Sequence, residues 1–366
     1  RVQGCGCDGF KSPAAPVDFG NAGTGVRLVM GAASGFHIQV RYVGDASLSA
    51  RPMGRILQPL GEMGAKFQSN DGKLPVQQTK GGHLQGQSFT PKHASAQIKS
   101  AILLAGLQAN GVTEVVEKTL TRDHTENMLR AFGVTIDQTP TGQGQKVRLH
   151  GPATLSATDI DVPGDPSSAA FLVASALMVP GSSLVVENVM MNPTRTGLFQ
   201  VLQTMGAELE IKNPRRSGGE DIADIHVRYS QLQAVTTNPD IVPSMIDEFP
   251  VLAVLCARAQ GTSRLRGLGE LRVKESDRLE GTRNLLVRNG VAANIDGDDL
   301  VIRGGVVLGG ATVPTLHDHR LAMSALVLGL ASHEPIAIDD TRMINTSFPT
   351  FFKLMDKIGV RMEIHQ

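Results

Sequence analysis

The sequence predicts an α/β protein of two lobes, assembled from repeated β-α-β-α-β-β units of which the first is incomplete. Three observations carry this expectation. An amphipathic stretch, a glycine and one or two β-prone runs recur in the same order five times along the chain. Between these copies sits a second recurring element, a small-residue turn followed by a segment that is apolar nearly all round. The chain has 366 residues, which at about 150 residues per domain suggests about two domains.

The amphipathic copies begin at Ile56, Asn127, Leu198, Asn284 and Phe351, and their glycines are Gly64, Gly133, Gly206, Gly290 and Gly359. Each glycine stands where a helix C-cap glycine is expected, and the alternation after it reads as a strand. The repeat length is roughly 70 to 85 residues, too long for a thin solenoid unit. The second element reads GNAGTGVRLVMGA from Gly20, ASAQIKSAILLAGL from Ala94, PSSAAFLVASALMV from Pro166, DEFPVLAVLCARA from Asp247 and HRLAMSALVLGLA from His319. A helix without a polar face is buried all round, so each unit is expected to hold one outer and one inner helix. Arg1 to Gly9 reads as the last strand of a cut unit. Five copies and this stub predict six units, three per lobe, with an exposed strand edge and lost apolar cover at the cut. The Gly/Pro/Ser/Thr-rich stretch from Gly151 to Thr158 marks the hinge, giving lobes of residues 1–155 and 156–366.

Composition narrows the function. Thirty-five Lys and Arg balance thirty-five Asp and Glu, which argues against coating nucleic acid through bulk charge. Hydrophobic residues at 41% and charged ones at 19% exclude a disordered chain. With no Trp and two Tyr, the core is aliphatic. No apolar run approaches the ~18 residues of a membrane span. Three cysteines make no disulfide framework, and a reducing cytosol fits. Cys5 and Cys7 form a C-x-C pair, but with only Cys256 elsewhere they read as buried or frayed thiols in preference to a metal site. His317 and His319 likewise lack a third ligand. There is neither a P-loop nor a nucleophile elbow.

Each inner helix begins with unpaired N–H groups and a partial positive charge, which suits anions. The residues at these starts are Gly20 to Thr24, Ser95 to Gln97, Gly164 to Ser168, Ile246 to Glu248 and Asp318 to Arg320. Charged side chains fall near the same edge: Arg51 and Arg55, then Arg122, Asp123 and His124, then Lys274, Glu275 and Arg278. Lys274 and Arg278 are four apart, which predicts one helical face.

Taken together, GNAGTGVRL, GDASLSARPMGR, SAQIKSAILLAGL, TRDHTE, PGDPSSAAF, NPTRTG, PSMIDEFPVLAV, LRVKESDRL and DHRLAMS resemble the 5-enolpyruvylshikimate-3-phosphate (EPSP) synthase family, 3-phosphoshikimate 1-carboxyvinyltransferase. The resemblance runs from about Pro16 to the C-terminus and is nearest to the bacterial class with glyphosate-tolerant members. It implies a two-lobed inside-out α/β barrel with the active cleft between the lobes. The implied reaction moves the enolpyruvyl group of phosphoenolpyruvate to the 5-hydroxyl of shikimate 3-phosphate and releases phosphate. The bond broken is C–O, so no metal and no cofactor is required. By resemblance, Arg51, Arg278 and Arg320 hold phosphoenolpyruvate, with Asn21 and Gly23 in close contact. Ser95, Ala96 and Gln97 hold shikimate 3-phosphate, Gln97 also touches phosphoenolpyruvate, and Arg122 and Lys274 lie on the shikimate 3-phosphate side. Asp247 matches the base for the 5-hydroxyl and Glu275 the acid/base at the methylene carbon; Lys274 stands beside them in the catalytic set. The implied protein is a cytoplasmic monomer of the shikimate pathway for aromatic amino acids, inhibited by glyphosate, without nucleic-acid or membrane partners.

The chain departs from the family pattern at its start, where an upstream Lys-Ser…Arg motif contacting both substrates has no counterpart. Near the C-terminus, Asn345-Thr346-Ser347-Phe348 stands where many relatives carry a lysine. Two alternatives therefore stand beside the first reading: a substrate-binding fragment without turnover, and the related UDP-N-acetylglucosamine enolpyruvyl transferase. The latter carries a reactive loop cysteine that none of the three cysteines matches. RNA-cyclase-like proteins share the repeat unit, but the neutral charge and the specific motifs speak against them.

Overall fold

In the computed structural model, which describes residues 2–6 and 9–363, the chain divides into two compact units at Ile160/Asp161. The division is set by the repeats. All five glycines that close the outer helices have positive φ, between +83° and +122° at Gly64, Gly133, Gly206, Gly290 and Gly359. The residue after each donates its N–H five residues back: Ala65 to Leu60, Val134 to Leu129, Ala207 to Leu202, Val291 to Leu286 and Val360 to Met355. This is the Schellman closure, in which the left-handed residue costs a Cβ-free glycine least and an apolar pair seals the end.

Each of the first four closures throws the chain into a hairpin. Lys66–Asn70 pairs with Lys73–Lys80, Ile136–Thr141 with Gly144–Gly151, Leu209–Ser217 with Glu220–Arg228, and Ala292–Asp296 with Asp299–Arg303, all antiparallel. The second strand of each hairpin pairs in turn with the strand that precedes the outer helix, as in Val40–Val43 with Lys73–Lys80 and Gly111–Glu117 with Gly144–Gly151. That strand runs parallel to the segment before the inner helix: Val17 faces Tyr42, Ser88 faces Glu114, Gly164 faces Val189, Thr236 faces Arg264 and Val307 faces Ser332. A parallel neighbour requires a crossover, and in every unit the crossover is the inner helix.

The inner helices are Gly23–Ser34, Ala96–Gly106, Pro166–Met178, Phe249–Cys256 and His319–Leu328. Every residue of Phe249–Cys256 is buried, as are twelve of the thirteen in Pro166–Met178. In the unit after Ile160 three inner helices pack on one another and form its core; each fully buried Val, Leu or Phe there contributes about 1.5–3 kcal/mol. In the unit before it, Gly23–Ser34 packs on Ala96–Gly106 so closely that a Cβ on Gly31 would lie 2.3 Å from the Ala101 carbonyl oxygen.

Three expectations need correction. Gly23–Ser34 is not buried all round: six of its twelve residues are, because it packs on Ala96–Gly106 and Gly54–Met63 and turns Val29 outward, 38% exposed. The described residues within 1–9 form no strand; three glycines there and no alternation leave nothing to pair, and the short strand Val17–Asp18 is the first. After the fifth closure, residues 360–363 are not a strand. Cys5 is exposed and Cys256 buried, while Cys7 lies outside the described residues. Among the described residues no helix is long and apolar enough to cross a membrane.

Candidate active site

In the unit before Ile160, the start of the inner helix Gly23–Ser34 is built on small residues and two guanidinium groups. Asp45 accepts from the Leu48 N–H at 2.7 Å and so caps the short helix Ala46–Ala50. It also accepts from Asn21 Nδ2 at 2.8 Å. Asn21 Oδ1 in turn accepts from Arg51 Nη2 at 2.8 Å, which aims a guanidinium at Gly23. A Cβ on Gly23 would stand 3.0 Å from Arg51 Nη1 and 3.3 Å from Arg27 Nη1. Arg27 donates to Gln97 Oε1 at 2.7 Å, and Gln97 Nε2 donates to Thr24 Oγ1 at 2.8 Å. Burial, then Arg51 and Arg55, push the Arg27 pKa below its ordinary value. Asn21, Gly23, Arg51 and Gln97 are thus brought together, with Arg27 in their midst.

Ser95 is the N-cap of Ala96–Gly106, yet its side chain makes no capping bond. The same is true of Ala22 ahead of Gly23–Ser34. Both helix starts keep backbone N–H groups for another acceptor. Arg122 lies half-buried in the connection between strand Gly111–Glu117 and helix His124–Ala131.

In the unit after Ile160, carboxylates and cations interlock. Arg278, 1% exposed, donates from Nε to Asp318 at 2.7 Å and from Nη1 to Asp247 at 3.0 Å. Its Nη2 lies 2.5 Å from Glu275 Oε2. Lys274 Nζ is 3.3 Å from the same Asp247 oxygen. Asp318, fully buried, also accepts from the Ser276 hydroxyl at 2.9 Å and from the Arg320 N–H at 2.8 Å. It therefore caps His319–Leu328 and ties two arginine positions to one carboxylate. Burial pushes the Asp318 pKa up, but Arg278 and the hydrogen bonds outweigh it and hold it below the ordinary value. Arg320 Nε is buried without a hydrogen-bond partner, a costly state for a donor.

Lys274 and Arg278 do not share a helical face. Asp277 accepts from the Glu280 N–H at 3.0 Å and starts the helix at Arg278, so Lys274 stands ahead of it. The two cations meet at Asp247 because the connection folds back, not because of their spacing. Behind them, Asp165 caps Pro166–Met178 through the Ser167 and Ser168 N–H groups and accepts from Arg195 at 2.8 Å. Ser167 accepts from Arg195 at 2.9 Å and donates to Glu248. Burial raises the Glu248 pKa.

These geometries can be set beside known proteins. The family described as EPSP synthase (3-phosphoshikimate 1-carboxyvinyltransferase) matches residues 1–355. The chain belongs to the EPSP synthase family. A 3-phosphoshikimate 1-carboxyvinyltransferase of Acidiphilium cryptum is 52% identical over 364 residues, covering 99% of this chain and 82% of that protein. One of Gluconobacter oxydans is 52% identical over 361 residues, covering 98% and 82%. The solved EPSP synthase of Acinetobacter baumannii superposes with a TM-score of 0.90 at 44% identity, covering 97% of this chain and 81% of that one. Membership gives the two-domain inside-out α/β fold and an enolpyruvyl transferase of the shikimate pathway, with shikimate 3-phosphate and phosphoenolpyruvate as the family's substrates. It decides between the two enolpyruvyl transferase readings in favour of the shikimate one. Sequence reasoning about this EPSP synthase fold missed Arg27, although its place four residues after Gly23 puts it on the same helical face. Asp45, Asp165, Arg195 and Asp318 were within quoted motifs, but only their through-space partners give them roles.

Proposed function

We propose that the charged residues of the two constellations hold the substrates of the family reaction as the motifs imply. Arg51, Arg278 and Arg320 hold phosphoenolpyruvate, with Asn21, Gly23 and Arg27 around it. Ser95, Ala96, Gln97, Arg122 and Lys274 hold shikimate 3-phosphate. Planar guanidinium groups suit bidentate binding of carboxylate and phosphate, and the uncapped helix start at Ser95 suits a phosphate. The observation that carries the reading is Arg278, buried against Asp247, Glu275 and Asp318. It fixes the two candidate proton carriers on one guanidinium. The unpartnered Nε of Arg320 supports an anionic ligand at that residue.

In this mechanism Asp247 takes the proton of the 5-hydroxyl as its oxygen bonds to C2 of phosphoenolpyruvate. Glu275 gives a proton to C3, which becomes a methyl group. The tetrahedral ketal phosphate then returns a methyl proton to Glu275 as the C2–O bond to phosphate breaks, restoring the double bond, and the leaving phosphate carries off the proton taken up by Asp247. Such acid–base steps contribute about 10²–10⁴-fold each. The enzyme works as a monomer in the cytoplasm and is inhibited by glyphosate.

The test is phosphate release from phosphoenolpyruvate by this chain, with and without shikimate 3-phosphate. Release that depends on shikimate 3-phosphate, and falls about 10²-fold or more in Asp247→Ala and Glu275→Gln with substrate binding kept, is the expected result. Binding without release by the unsubstituted chain supports the fragment reading instead. Unchanged turnover in either variant removes that residue from the mechanism.

A further inference from the structure

Among the described residues of the unit before Ile160, Lys99 is a fully buried cation whose side chain pairs with Glu117 and Glu126 and not with the proposed substrate residues. Lys99, 0% exposed, stands in the first turn of Ala96–Gly106 and donates its N–H to the Ser95 carbonyl at 3.2 Å. Its Nζ lies 2.9 Å from Glu117 Oε2 and 2.8 Å from Glu126 Oε1. Glu117 ends the strand Gly111–Glu117, and Glu126 lies in the first turn of His124–Ala131. The connection between those two elements, residues 118–123, carries Arg122.

The surrounding bonds close the same connection. Thr121 donates its hydroxyl to Glu117, and Gln145 Nε2 donates to Glu117 at 3.0 Å. Thr125 donates to the Ser100 hydroxyl at 2.7 Å, and the Leu120 N–H to the Gln143 carbonyl at 3.2 Å. Burial raises the Glu126 pKa against the opposing pull of Lys99. Two carboxylates on one ammonium are an expensive way to fill a core. Apolar side chains of similar volume are often as stabilising as a buried ion cluster or more so. What an apolar trio lacks is directionality. The ion pairs fix where the strand end and the helix start lie relative to Ser95.

We propose that Lys99, Glu117 and Glu126 are positioning residues for the shikimate 3-phosphate side of the site. They staple both ends of the Arg122 connection to the helix start that presents Ser95, Ala96 and Gln97. This rests on the reading that those residues and Arg122 hold shikimate 3-phosphate. The staple acts through them, and the Lys99, Glu117 and Glu126 side chains make none of their bonds to Arg51, Arg278 or Arg320 of the phosphoenolpyruvate set.

The experiment is calorimetric titration of shikimate 3-phosphate into the unsubstituted chain, Lys99→Met, and the uncharged combination Lys99→Met/Glu117→Gln/Glu126→Gln. The combination leaves no buried ion unpaired, so it tests positioning if the single variant does not fold. The expected result is a dissociation constant raised about tenfold in the folded combination, a change of about 1.4 kcal/mol, with an unchanged KM for phosphoenolpyruvate. An unchanged dissociation constant, or an equal rise in both constants, overturns the proposal. Arg122→Ala separates the two levels. If it leaves shikimate 3-phosphate binding unchanged, or if the unsubstituted chain does not bind it, the reading beneath falls and the staple with it. If Arg122→Ala weakens binding and the uncharged combination does not, the staple alone is wrong.

Discussion

Around Gly23, Arg27 and Arg51 bond to neutral partners, the Gln97 amide and the Asn21 amide. Around Asp247, Arg278 and Lys274 bond to carboxylates. The helix starts differ in part: Ala22, Ser95 and Glu248 make no side-chain cap, whereas Asp165 and Asp318, both in the second unit, cap theirs. The first unit therefore gathers cations and open N–H groups whose mutual repulsion an anionic ligand relieves. The second neutralises Lys274 and Arg278 from within, and its Asp165 and Asp318 each do two tasks, capping a helix and fixing a guanidinium. One unit stores an unmet demand for negative charge; the other stores carboxylates held ready among cations.

The largest effect expected from this contrast is on stability. Arg278→Met leaves Asp318 buried opposite no guanidinium, and breaking such a pair costs about 3–5 kcal/mol. Arg51→Met, whose cation bonds to exposed neutral groups, costs less than about 1 kcal/mol. Urea unfolding of both variants at neutral pH checks this. Equal losses break the comparison, because they mean that Arg51 is as deeply built into its unit as Arg278. Both variants are expected to lose turnover, so activity alone does not separate them.

The contrast also explains which parts were legible in the sequence. The five closing glycines and the five inner helices follow from local chemistry, since a left-handed cap and an apolar face are properties of adjacent residues. Asp247, Glu275, Arg278 and Arg320 could be named from motifs. Their arrangement could not, because Arg278 and Asp318 are forty positions apart and meet only when the start of the outer helix Arg278–Arg288 and the start of the inner helix His319–Leu328 converge. The helical-face reading of Lys274 and Arg278 failed for a related reason: spacing predicts a face only once the helix start is known, and Asp277 sets that start. Lys99 was hidden most completely. In ASAQIKSAILLAGL a lone lysine in an apolar run looks like a solvated residue, and nothing local reveals that Glu117 and Glu126 enclose it.

A middle-sized effect is expected at Gly23. The added methyl of Gly23→Ala meets the tips of Arg51 and Arg27, at 3.0 and 3.3 Å. Guanidinium tips can shift by a few tenths of an ångström, so the fold is retained while the anion pocket narrows. Glyphosate, longer than phosphoenolpyruvate, is expected to lose more: about tenfold in inhibition constant, equivalent to an overpacking cost of about 1.4 kcal/mol, with a smaller rise in the KM for phosphoenolpyruvate. Inhibition assays on the two proteins side by side decide this. Unchanged glyphosate inhibition removes Gly23 from the phosphoenolpyruvate pocket and with it the cationic half of the comparison.

The smallest effect lies in the acid dependence of stability, where Asp318 and Glu126 oppose each other in sign. The Asp318 pKa is depressed in the fold, burial being outweighed by Arg278. Its contribution is present above the unfolded value of about 3.9 and is lost as pH falls through the lower folded value. The stability deficit of Asp318→Asn is therefore full at neutral pH and shrinks below about pH 4. The Glu126 pKa is raised by burial, against the pull of Lys99. The folded chain then binds that proton more tightly than the unfolded one, so Glu126 lowers stability above its folded value and the penalty lifts as pH falls toward about 4.3. Relative to the unsubstituted chain, Glu126→Gln is expected to lose ground as pH falls through that window, while Asp318→Asn gains ground only below it. Urea midpoints of the three proteins from neutral pH to about pH 3 read both slopes. If both differences move the same way, Glu126 is ionised throughout and the Lys99 cluster is as fully compensated as the carboxylates around Arg278.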